Sequence, residues 1–343
     1  MNENPFEQIY GIASGYVQSS ILTAAAELDL FTAIIRNREG AQAHGLAEEL
    51  KTDLRGTEAL LDALTAMGFL EKNIGQSFPT YSVTAVYIPY LDSGRDETLV
   101  PMLRQMANGL RLWGRLTWAV KEGKPQKSEP SILGAEQDAI SFIQTMNTMA
   151  ETQAEGIVAT LQEAGVLSLS GHCVLLDVGG ASGTYTQAFL QSLPEVTAII
   201  FDLPVGIGQA KKRFEGSEYA GRVRYMEGDF LRDHLPDGGC DFAWLSAVIH
   251  YLNREEAKTL YRKVFSALNS DRMLAIRGYA MSPDRTSPKE GAIFGVNMVL
   301  GTPSGRVYTY DEVKEDLEHS GFIGISLAVP SETMSAVIIA RKP

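Results

Sequence analysis

The stretch Val174-Leu-Leu-Asp-Val-Gly-Gly-Ala-Ser-Gly183 consists of an apolar run that ends in Asp177 and a loop that contains three glycines. A segment of helical character, Thr184 to Leu193, comes next, and a second apolar run, Val196 to Phe201, ends in Asp202. Glycine permits a tight turn and lets a ligand approach bare backbone. The pattern therefore predicts a strand, a glycine-rich turn, a helix and a second strand, with a carboxylate at the end of each strand.

The spacing of the second carboxylate indicates what the turn binds. Asp202 lies 22 residues beyond Gly180, and an acidic residue at about that distance in such a unit can bind the two hydroxyls of a ribose. The loop reads Gly-Gly-Ala-Ser-Gly, which is not the G-x-G-x-x-G pattern that holds a pyrophosphate. A glycine-rich loop alone is also common in purely structural turns. Together with the spaced carboxylate, it predicts a site for a nucleoside cofactor.

Two more segments complete a set of four motifs. Val223 to Phe230 is a strand pattern that ends in Gly-Asp-Phe, and Cys240 to His250 is a strand pattern that ends in Ile-His. With Asp-x-Gly-Gly-x-x-Gly and Phe-Asp-Leu-Pro, these motifs resemble the S-adenosylmethionine-dependent small-molecule O-methyltransferases, a family typified by plant caffeic acid O-methyltransferase. The resemblance covers nearly the whole chain, in the family's order and spacing.

The alternation of strand and helix patterns from Gly171 onward predicts an α/β fold with a parallel, doubly wound sheet. Two final strand patterns joined by a short connection predict a hairpin, and hence an antiparallel last strand. The resemblance implies the complete architecture: a Rossmann-like seven-stranded methyltransferase sheet and a mainly helical N-terminal winged-helix domain. The expected divisions are a winged-helix dimerisation domain over 1–100, a helical linker that roofs the acceptor pocket over 101–165, and the cofactor-binding domain over 166–343.

The N-terminal region has three helix patterns followed by a hairpin pattern, and this is the order of a winged helix. One function of such a domain is binding to DNA. The helix that would enter the groove offers Glu58 and Asp62 and only Arg55 as a cation, so DNA phosphates would be repelled. The resemblance implies the other function, which is formation of a homodimer.

The resemblance assigns the methionine part of S-adenosylmethionine to the glycine loop, the ribose to the end of the second strand, and the adenine to the end of the third. The residues assigned to the cofactor are Asp177, Gly179, Gly180, Gly183, Asp202, Leu203, Gly228, Asp229, Phe230 and Ser246.

His250 occupies the position of the family's catalytic base, and histidine titrates in the pH range that a base requires. A core histidine bonded to backbone is the alternative. The positions where the family commonly has glutamates flanking the base are Arg277 or Gly278 and Val307 here, and the family's basic residue four positions before the histidine is Ser246. The base is therefore expected to be less well oriented than usual.

Two sets of residues are candidates for the acceptor pocket. Trp113, Met146 and Met149 fall on helical stripes that are as readily explained as plain core. Met298 and Thr302 match the family's contact positions, and Asn297 either faces the pocket or serves as a helix cap or core amide. The residues so assigned to the acceptor are Trp113, Met146, Met149, Asn297, Met298 and Thr302.

Composition narrows the function class. The formal net charge of −12 over 343 residues argues against a nucleic-acid partner. Cys173 and Cys240 are expected to be reduced core thiols, and no histidine has metal-ligand spacing, so no metal is expected. With no signal peptide and no apolar run near the roughly 20 residues of a membrane span, the sequence predicts a cytoplasmic protein without a membrane partner.

The sequence thus predicts a homodimeric S-adenosylmethionine-dependent methyltransferase that acts on a hydroxyl of a small, aromatic acceptor. Two rivals stay open at this point. One is a cofactor-retaining relative that performs C- or N-methylation or a reaction other than methyl transfer, which the missing glutamates favour. The other is a winged-helix regulator that senses the cofactor, which the acidic charge disfavours.

Overall fold

A computed structural model describes residues 4–37, 40–75, 78–167 and 171–343 of the chain. The helices are α1 (Pro5–Ser14), α2 (Tyr16–Glu27), α3 (Leu30–Arg36), α4 (Ala43–Leu50), α5 (Leu54–Ala66), α6 (Ile88–Leu91), α7 (Val100–Trp113), α8 (Leu116–Glu122), α9 (Ala135–Glu151), α10 (Ala154–Glu163), α11 (Thr184–Ser192), α12 (Pro204–Phe214), α13 (Arg254–Ala267), α14 (Lys289–Gly301) and α15 (Tyr310–His319). The strands are β1 (Leu70–Asn73), β2 (Thr80–Val83), β3 (Cys173–Val178), β4 (Val196–Asp202), β5 (Val223–Glu227), β6 (Cys240–Ser246), β7 (Leu268–Gly278), β8 (Ala280–Met281), β9 (Tyr308–Thr309), β10 (Ile323–Val329) and β11 (Ala336–Arg341).

The chain divides into two compact units. The first comprises Met1–Gly114 and Lys127–Thr145, and the second comprises Arg115–Gln126 and Met146–Pro343. This division differs from the predicted boundaries at 100 and 165, because the helices between them are shared: α7 and most of α9 belong to the first unit, and α8 and α10 to the second. Two division points along the chain cannot describe this arrangement, because successive helices belong to different units.

The first unit contains the predicted helix–helix–helix–hairpin order, in α3, α4, α5 and the antiparallel pair β1–β2. A continuous apolar core holds these elements together and includes the fully buried Leu30, Phe31, Leu61 and Leu64. At its N-terminal end, however, helices α1 and the first half of α2 leave large apolar side chains exposed. These are Phe6, Ile9, Tyr10, Ile12, Tyr16 and Val17, each at least 45% exposed.

The second unit is built on a seven-stranded sheet in the order β10-β11-β7-β6-β3-β4-β5. Strands β3 to β7 run parallel, and β11 is antiparallel to both β7 and β10. The antiparallel last strand and the doubly wound sheet are therefore confirmed. The strand order reverses at β3, which pairs with β4 on one side and β6 on the other, and open α/β sheets bind ligands at such a switch point, beyond the carboxyl ends of the strands.

Both faces of the sheet are covered, which is why its central strands read as continuous apolar runs. One face carries Leu176, Val178, Leu245 and Ile276 against α13 and α15, and the other carries Leu175, Phe242, Trp244 and Ala275 against α10 and α11. Helices α13 and α15 begin at the capping boxes predicted from the sequence, Asn253 with Glu256 and Thr309 with Glu312. Both cysteines are buried. Within the described residues, no helix combines the length and the apolar character needed to cross a membrane.

The helical stripes that carry Trp113 on α7 and Met146 and Met149 on α9 are only partly buried. Helix α7 buries Val100, Leu103 and Ala107, while Met106 on its neighbouring face is 52% exposed. In α9 the buried side chains are Ser141 and Thr145, whereas Phe142, Met146 and Met149 are between 37% and 52% exposed. The spacing of apolar residues indicates that a segment is helical. It does not determine which of two adjacent helix faces packs against the core.

Candidate active site

The glycine loop leaves β3 as a sharp turn with alternating left-handed residues. Gly179, Ala181 and Gly183 have φ of 74°, 47° and 78°, a region that residues other than glycine seldom occupy. A Cβ atom on Gly180 would lie 2.8 Å from the Asp177 carboxyl carbon, and one on Gly183 would lie 2.7 Å from the Phe214 ring. The glycines thus let the loop pack directly on its own strand and on α12.

Asp177 lies beneath this loop. Its side chain is 1% exposed, and Thr186 Oγ1 donates a hydrogen bond to Oδ2 at 2.6 Å. Burial raises the pKa of Asp177 to about 7, with the charge of Asp202 adding to the shift and the Thr186 bond opposing it. The carboxyl group therefore supports the backbone of Gly180 from below. Its predicted contact with the methionine part of the cofactor stays a prediction.

Asp202 joins the end of β4 to the glycine loop. Its Oδ2 accepts a hydrogen bond from the Ala181 amide at 2.7 Å, and its Oδ1 accepts one from the Leu203 amide at 2.6 Å. Burial raises the pKa of this carboxylate, and the two amide bonds oppose that rise. A carboxylate has about four acceptor positions, so two amide bonds leave capacity for hydroxyl donors. Leu203 itself is 53% exposed at the start of α12.

The third motif follows β5 at the same end of the sheet. The Gly228 amide donates to the Asp202 carbonyl at 3.0 Å, and a Cβ at this position would lie 2.6 Å from the Phe201 ring. Asp229 Oδ1 accepts a bond from the Leu231 amide at 2.9 Å, and Phe230 packs on the apolar core. Since β3, β4 and β5 are adjacent and parallel, the three loops lie side by side.

His250 lies in a short 3-10 turn, Ile249–Tyr251, just after β6. The imidazole is 6% exposed, and its centroid lies 4.6 Å from the Tyr251 ring and 4.8 Å from the Phe294 ring, which meets it edge-on. No hydrogen bond from the described residues reaches the imidazole. Aromatic packing, and not a carboxylate, thus fixes the orientation of the ring.

The expectation that His250 titrates near neutrality is wrong for this environment. Burial, together with a smaller effect of the positive charge of Arg277, lowers the pKa of His250 to about 3. The imidazole is consequently neutral over the whole physiological range, with a ring nitrogen able to accept a proton.

The positions that flank the base carry no acid, as the sequence indicates. Arg277 is 7% exposed near the end of β7, in register with Ser246 at the end of β6, and its Nη1 donates to Ser246 Oγ at 3.3 Å. Its Nη2 donates to Gln153 Oε1 at 2.8 Å. At Val307 only the backbone carbonyl is engaged, by Arg285 Nη1 at 3.2 Å. Position 246, where the resemblance implies a basic residue, thus carries a neutral serine that accepts a hydrogen bond from the cation Arg277.

The predicted acceptor residues have diverse surroundings. Met298 is 3% exposed, and the Thr302 hydroxyl is committed to backbone, since it donates to the Met298 carbonyl at 2.6 Å and accepts from the Gly305 amide at 2.8 Å. Asn297 is half-buried on α14. Met146 and Met149 are exposed on the second-unit end of α9, and Trp113 belongs to the first unit.

Several residues that shape the site were not foreseen. Asn147 Oδ1 accepts hydrogen bonds from Ser182 Oγ at 2.9 Å and from Thr184 and Arg213, so it ties α9 to the glycine loop. Nothing in the local sequence marks Asn147 as a contact of the glycine loop, because the partners of its Oδ1 lie at least 35 residues away. Arg277 did carry a signal, since it is a lone charge after the apolar Leu274–Ile276. In the described part of the chain, no group of three His, Cys, Asp or Glu side chains could hold a metal.

Comparison with known proteins identifies the class. The model of the O-methyltransferase domain matches residues 113–323, and the model of the O-methyltransferase dimerisation domain matches residues 10–91. The chain belongs to this O-methyltransferase family, and it is an S-adenosylmethionine-dependent enzyme. Membership of an enzyme family supports an enzyme and not the regulator.

Among its relatives, acetylserotonin O-methyltransferase of Gallus gallus is 25% identical over 341 residues, which cover 96% of each chain. The 3-hydroxy-5-methyl-1-naphthoate 3-O-methyltransferase of Streptomyces sahachiroi is 29% identical, over 90% of this chain and 87% of its own. The crystal structure of human N-acetylserotonin methyltransferase in complex with S-adenosylmethionine has the same fold, with a TM-score of 0.79, 22% identity and coverage of 99% and 98% of the two chains.

The raised pKa of Asp177 generates a prediction about stability. The folded-state pKa of about 7 exceeds the unfolded value of about 3.9, so the folded protein binds this proton more tightly. The contribution of Asp177 to stability is therefore fully present below about pH 4 and is lost as pH rises toward 7. Asp177→Asn keeps an acceptor for Thr186 without the charge. We expect the variant to gain stability relative to the wild type between pH 4.5 and 8, by roughly 1.4 kcal/mol per unit of pKa shift.

Thermal or urea unfolding of both proteins across that pH range measures the difference. Asp316→Asn is the matched control, because Asp316 is also buried (2% exposed) but accepts hydrogen bonds from Arg254, so its neutralisation should destabilise the fold. A stability difference for Asp177→Asn that does not change with pH would contradict the prediction.

Proposed function

We propose that this methyltransferase acts on a hydroxyl of a small aromatic metabolite and that His250 accepts the hydroxyl proton. The observation that carries the proposal is a neutral imidazole, held by aromatic rings, at the carboxyl end of the central strands. The names of two relatives support the acceptor class, since acetylserotonin and a 3-hydroxynaphthoate are both aromatic compounds. Tyr251, Phe294 and Tyr279 offer aromatic surface beside the imidazole, and such surface suits a flat ring.

The residues at the strand ends fit the cofactor. The loop from Gly179 to Gly183 presents bare backbone, Asp202 has acceptor capacity for the ribose hydroxyls, and Asp229 follows the adjacent strand. S-adenosylmethionine, when bound, supplies a methyl group on a positively charged sulfur. The protein then has three tasks: to hold donor and acceptor in line, to exclude water, and to take up one proton.

The low pKa of His250 bears on which hydroxyl can react. An ordinary phenol has a pKa of about 10, about seven units above that of the buried imidazole. Complete proton transfer before methyl transfer would cost on the order of 10 kcal/mol at 1.36 kcal/mol per unit. His250 is therefore suited to accept a hydrogen bond and to take the proton as the new bond forms, and an acidic hydroxyl is the favoured acceptor.

We also propose that the protein is a homodimer formed through its N-terminal helices. The match to a dimerisation domain over residues 10–91 supports this assembly. So does the exposed apolar surface of α1 and α2, where Phe6, Ile9, Ile12 and Tyr16 lie on the outside of the unit. Surfaces of this kind mark protein interfaces.

The ribose site is tested by Asp202→Ala. Loss of charged hydrogen bonds costs about 1.5–3 kcal/mol, so we expect the affinity for S-adenosylhomocysteine to fall roughly 10- to 150-fold. Titration calorimetry measures it, with Asp237→Ala, an exposed aspartate in the loop before β6, as a control for general loss of charge. An unchanged affinity in a folded Asp202→Ala protein would mean that the ribose is held elsewhere.

The base is tested by His250→Gln and His250→Ala. Positioned proton transfer contributes about 10²- to 10⁴-fold, so turnover should fall by that factor, while the affinity for S-adenosylhomocysteine stays the same. The wild-type rate should show no acid limb near pH 6.5, because the low pKa of His250 moves any such limb to well below pH 5. Initial rates against pH decide both points. Near-native turnover in the variants would remove His250 from the mechanism and favour a reaction that needs no base.

The assembly is tested by Ile12→Glu in the full chain. A charge in the middle of an apolar interface is costly, so the variant should be a monomer, whereas the wild type should have twice the 37.4 kDa mass of one chain. Light scattering at micromolar concentration measures the mass. Val120→Glu is the control, since Val120 is 67% exposed on α8 of the second unit. A monomeric wild type would refute the proposal.

A further inference from the structure

Arg277 is a buried cation in an apolar strand. It follows the buried Leu274, Ala275 and Ile276 in β7 and is itself only 7% exposed. A guanidinium keeps its charge in proteins, and burying a charge is costly unless an opposite charge offsets it. An anionic partner for the Arg277 guanidinium is therefore expected.

The protein partners of Arg277 are all neutral. Ser246 and Gln153 accept its two hydrogen bonds, and the Tyr185 ring lies 5.2 Å from the guanidinium carbon. Among the described residues no aspartate or glutamate forms an ion pair with it, and its Nε is buried without a partner. Burial lowers the pKa of Arg277, which is the sign of an uncompensated charge.

Two other arginines of the second unit, in contrast, have carboxylate partners. Arg254 donates to the buried carboxylate of Asp316, and Arg213 donates to the exposed carboxylate of Glu151. Gln153, in contrast, cannot supply charge, and its Oε1 is already shared with the Ser335 hydroxyl at 2.5 Å. These contacts hold the guanidinium in one place and leave its charge unmatched.

The location of Arg277 is that of a ligand-binding group. Arg277 on β7 pairs in register with Ser246 on β6, at the carboxyl end of the sheet. Strand β6 in turn neighbours β3, from which the glycine loop leaves. The charge of Arg277 acts on His250, whose pKa it helps to lower. Arginine at such a position suits a carboxylate, which a guanidinium can bind through two parallel hydrogen bonds.

We propose that Arg277 is an anion-recognition residue of the active site and binds a carboxylate group of a ligand, with Ser246 and Gln153 holding the guanidinium in position. The inference rests on the proposed function, because a methyltransferase offers two sources of that group. One is the methionine carboxylate of the cofactor, and the other is a carboxylate on the aromatic acceptor.

Binding measurements with Arg277→Met distinguish the two sources without turnover. The probes for the first source are S-adenosylhomocysteine and 5′-methylthioadenosine, which has the same adenosine thioether without the amino-acid group. If the cofactor supplies the carboxylate, the variant should bind S-adenosylhomocysteine about 10- to 150-fold more weakly and methylthioadenosine as the wild type does.

The probes for the second source are 3-hydroxy-1-naphthoate and 2-naphthol, the same hydroxylated ring without the carboxylate, titrated into protein saturated with S-adenosylhomocysteine. If the acceptor supplies the carboxylate, the wild type should prefer the naphthoate by tenfold or more, and Arg277→Met should lose that preference while its cofactor affinity is unchanged. Arg277→Lys, which keeps the charge without the planar fork, should retain part of either effect. Arg272→Met on the same strand, whose partner is Asp241, should change neither.

Unfolding without ligand separates recognition from a purely structural role. If Arg277 serves a ligand, Arg277→Met removes an uncompensated buried charge and should raise the melting temperature of the free protein. If it serves the fold, loss of its bonds to Ser246 and Gln153 should lower that temperature. A lowered melting temperature together with wild-type affinity for all four probes would overturn the proposal, whereas a wild type that binds neither adenosine probe would instead refute the proposed cofactor site.

Discussion

The hydrogen bond from the Ala181 amide to the Asp202 carboxylate, 2.7 Å long, connects the ends of two adjacent parallel strands. Ala181 has a φ of 47°, which is unfavourable for alanine, and this bond compensates for the strained backbone. This hydrogen bond holds the glycine loop over the buried Asp177 and fixes the Asp202 carboxylate at the end of β4. Asn147 secures the following residues from the other side. The parallel sheet determines where the strands end, but these polar contacts give the loop its shape.

Much of this arrangement could be predicted because it is local. Apolar runs that end in Asp177 and Asp202 specify strands and their carboxyl ends, and the capping boxes at Asn253 and Thr309 specify helix starts within a few residues. Contacts between residues that are distant in the chain cannot be inferred from a local sequence pattern in this way. The bonds of Asn147, the packing of Phe294 on His250, and the face on which α7 is buried depend on segments that are distant in the chain.

The carboxyl edge of the sheet combines groups that the free protein holds at a cost. Burial raises the pKa of Asp177 and Asp202 and lowers the pKa of Arg277 and His250, so each group is held where its charged form is disfavoured. Perturbed pKa values of this kind cluster at functional sites, where binding or chemistry requires them. As proposed above, a ligand that carries hydroxyls at one end and a carboxylate elsewhere would give Asp202 and Arg277 partners that the fold does not.

The same electrostatics connect binding to proton uptake. Arg277 lowers the pKa of His250 through its unmatched charge, and burial among Tyr251 and Phe294 adds the larger effect. An anion bound at Arg277 would offset the repulsion between the guanidinium and the imidazolium form of His250, and so would raise the pKa of His250. The effect of burial on that pKa would remain. The imidazole then becomes a stronger base only when the site is occupied. The resemblance leads one to expect flanking glutamates where this chain has Arg277 or Gly278 and Val307. A ligand carboxylate at Arg277, as proposed above, would supply part of the electrostatic support that these positions lack.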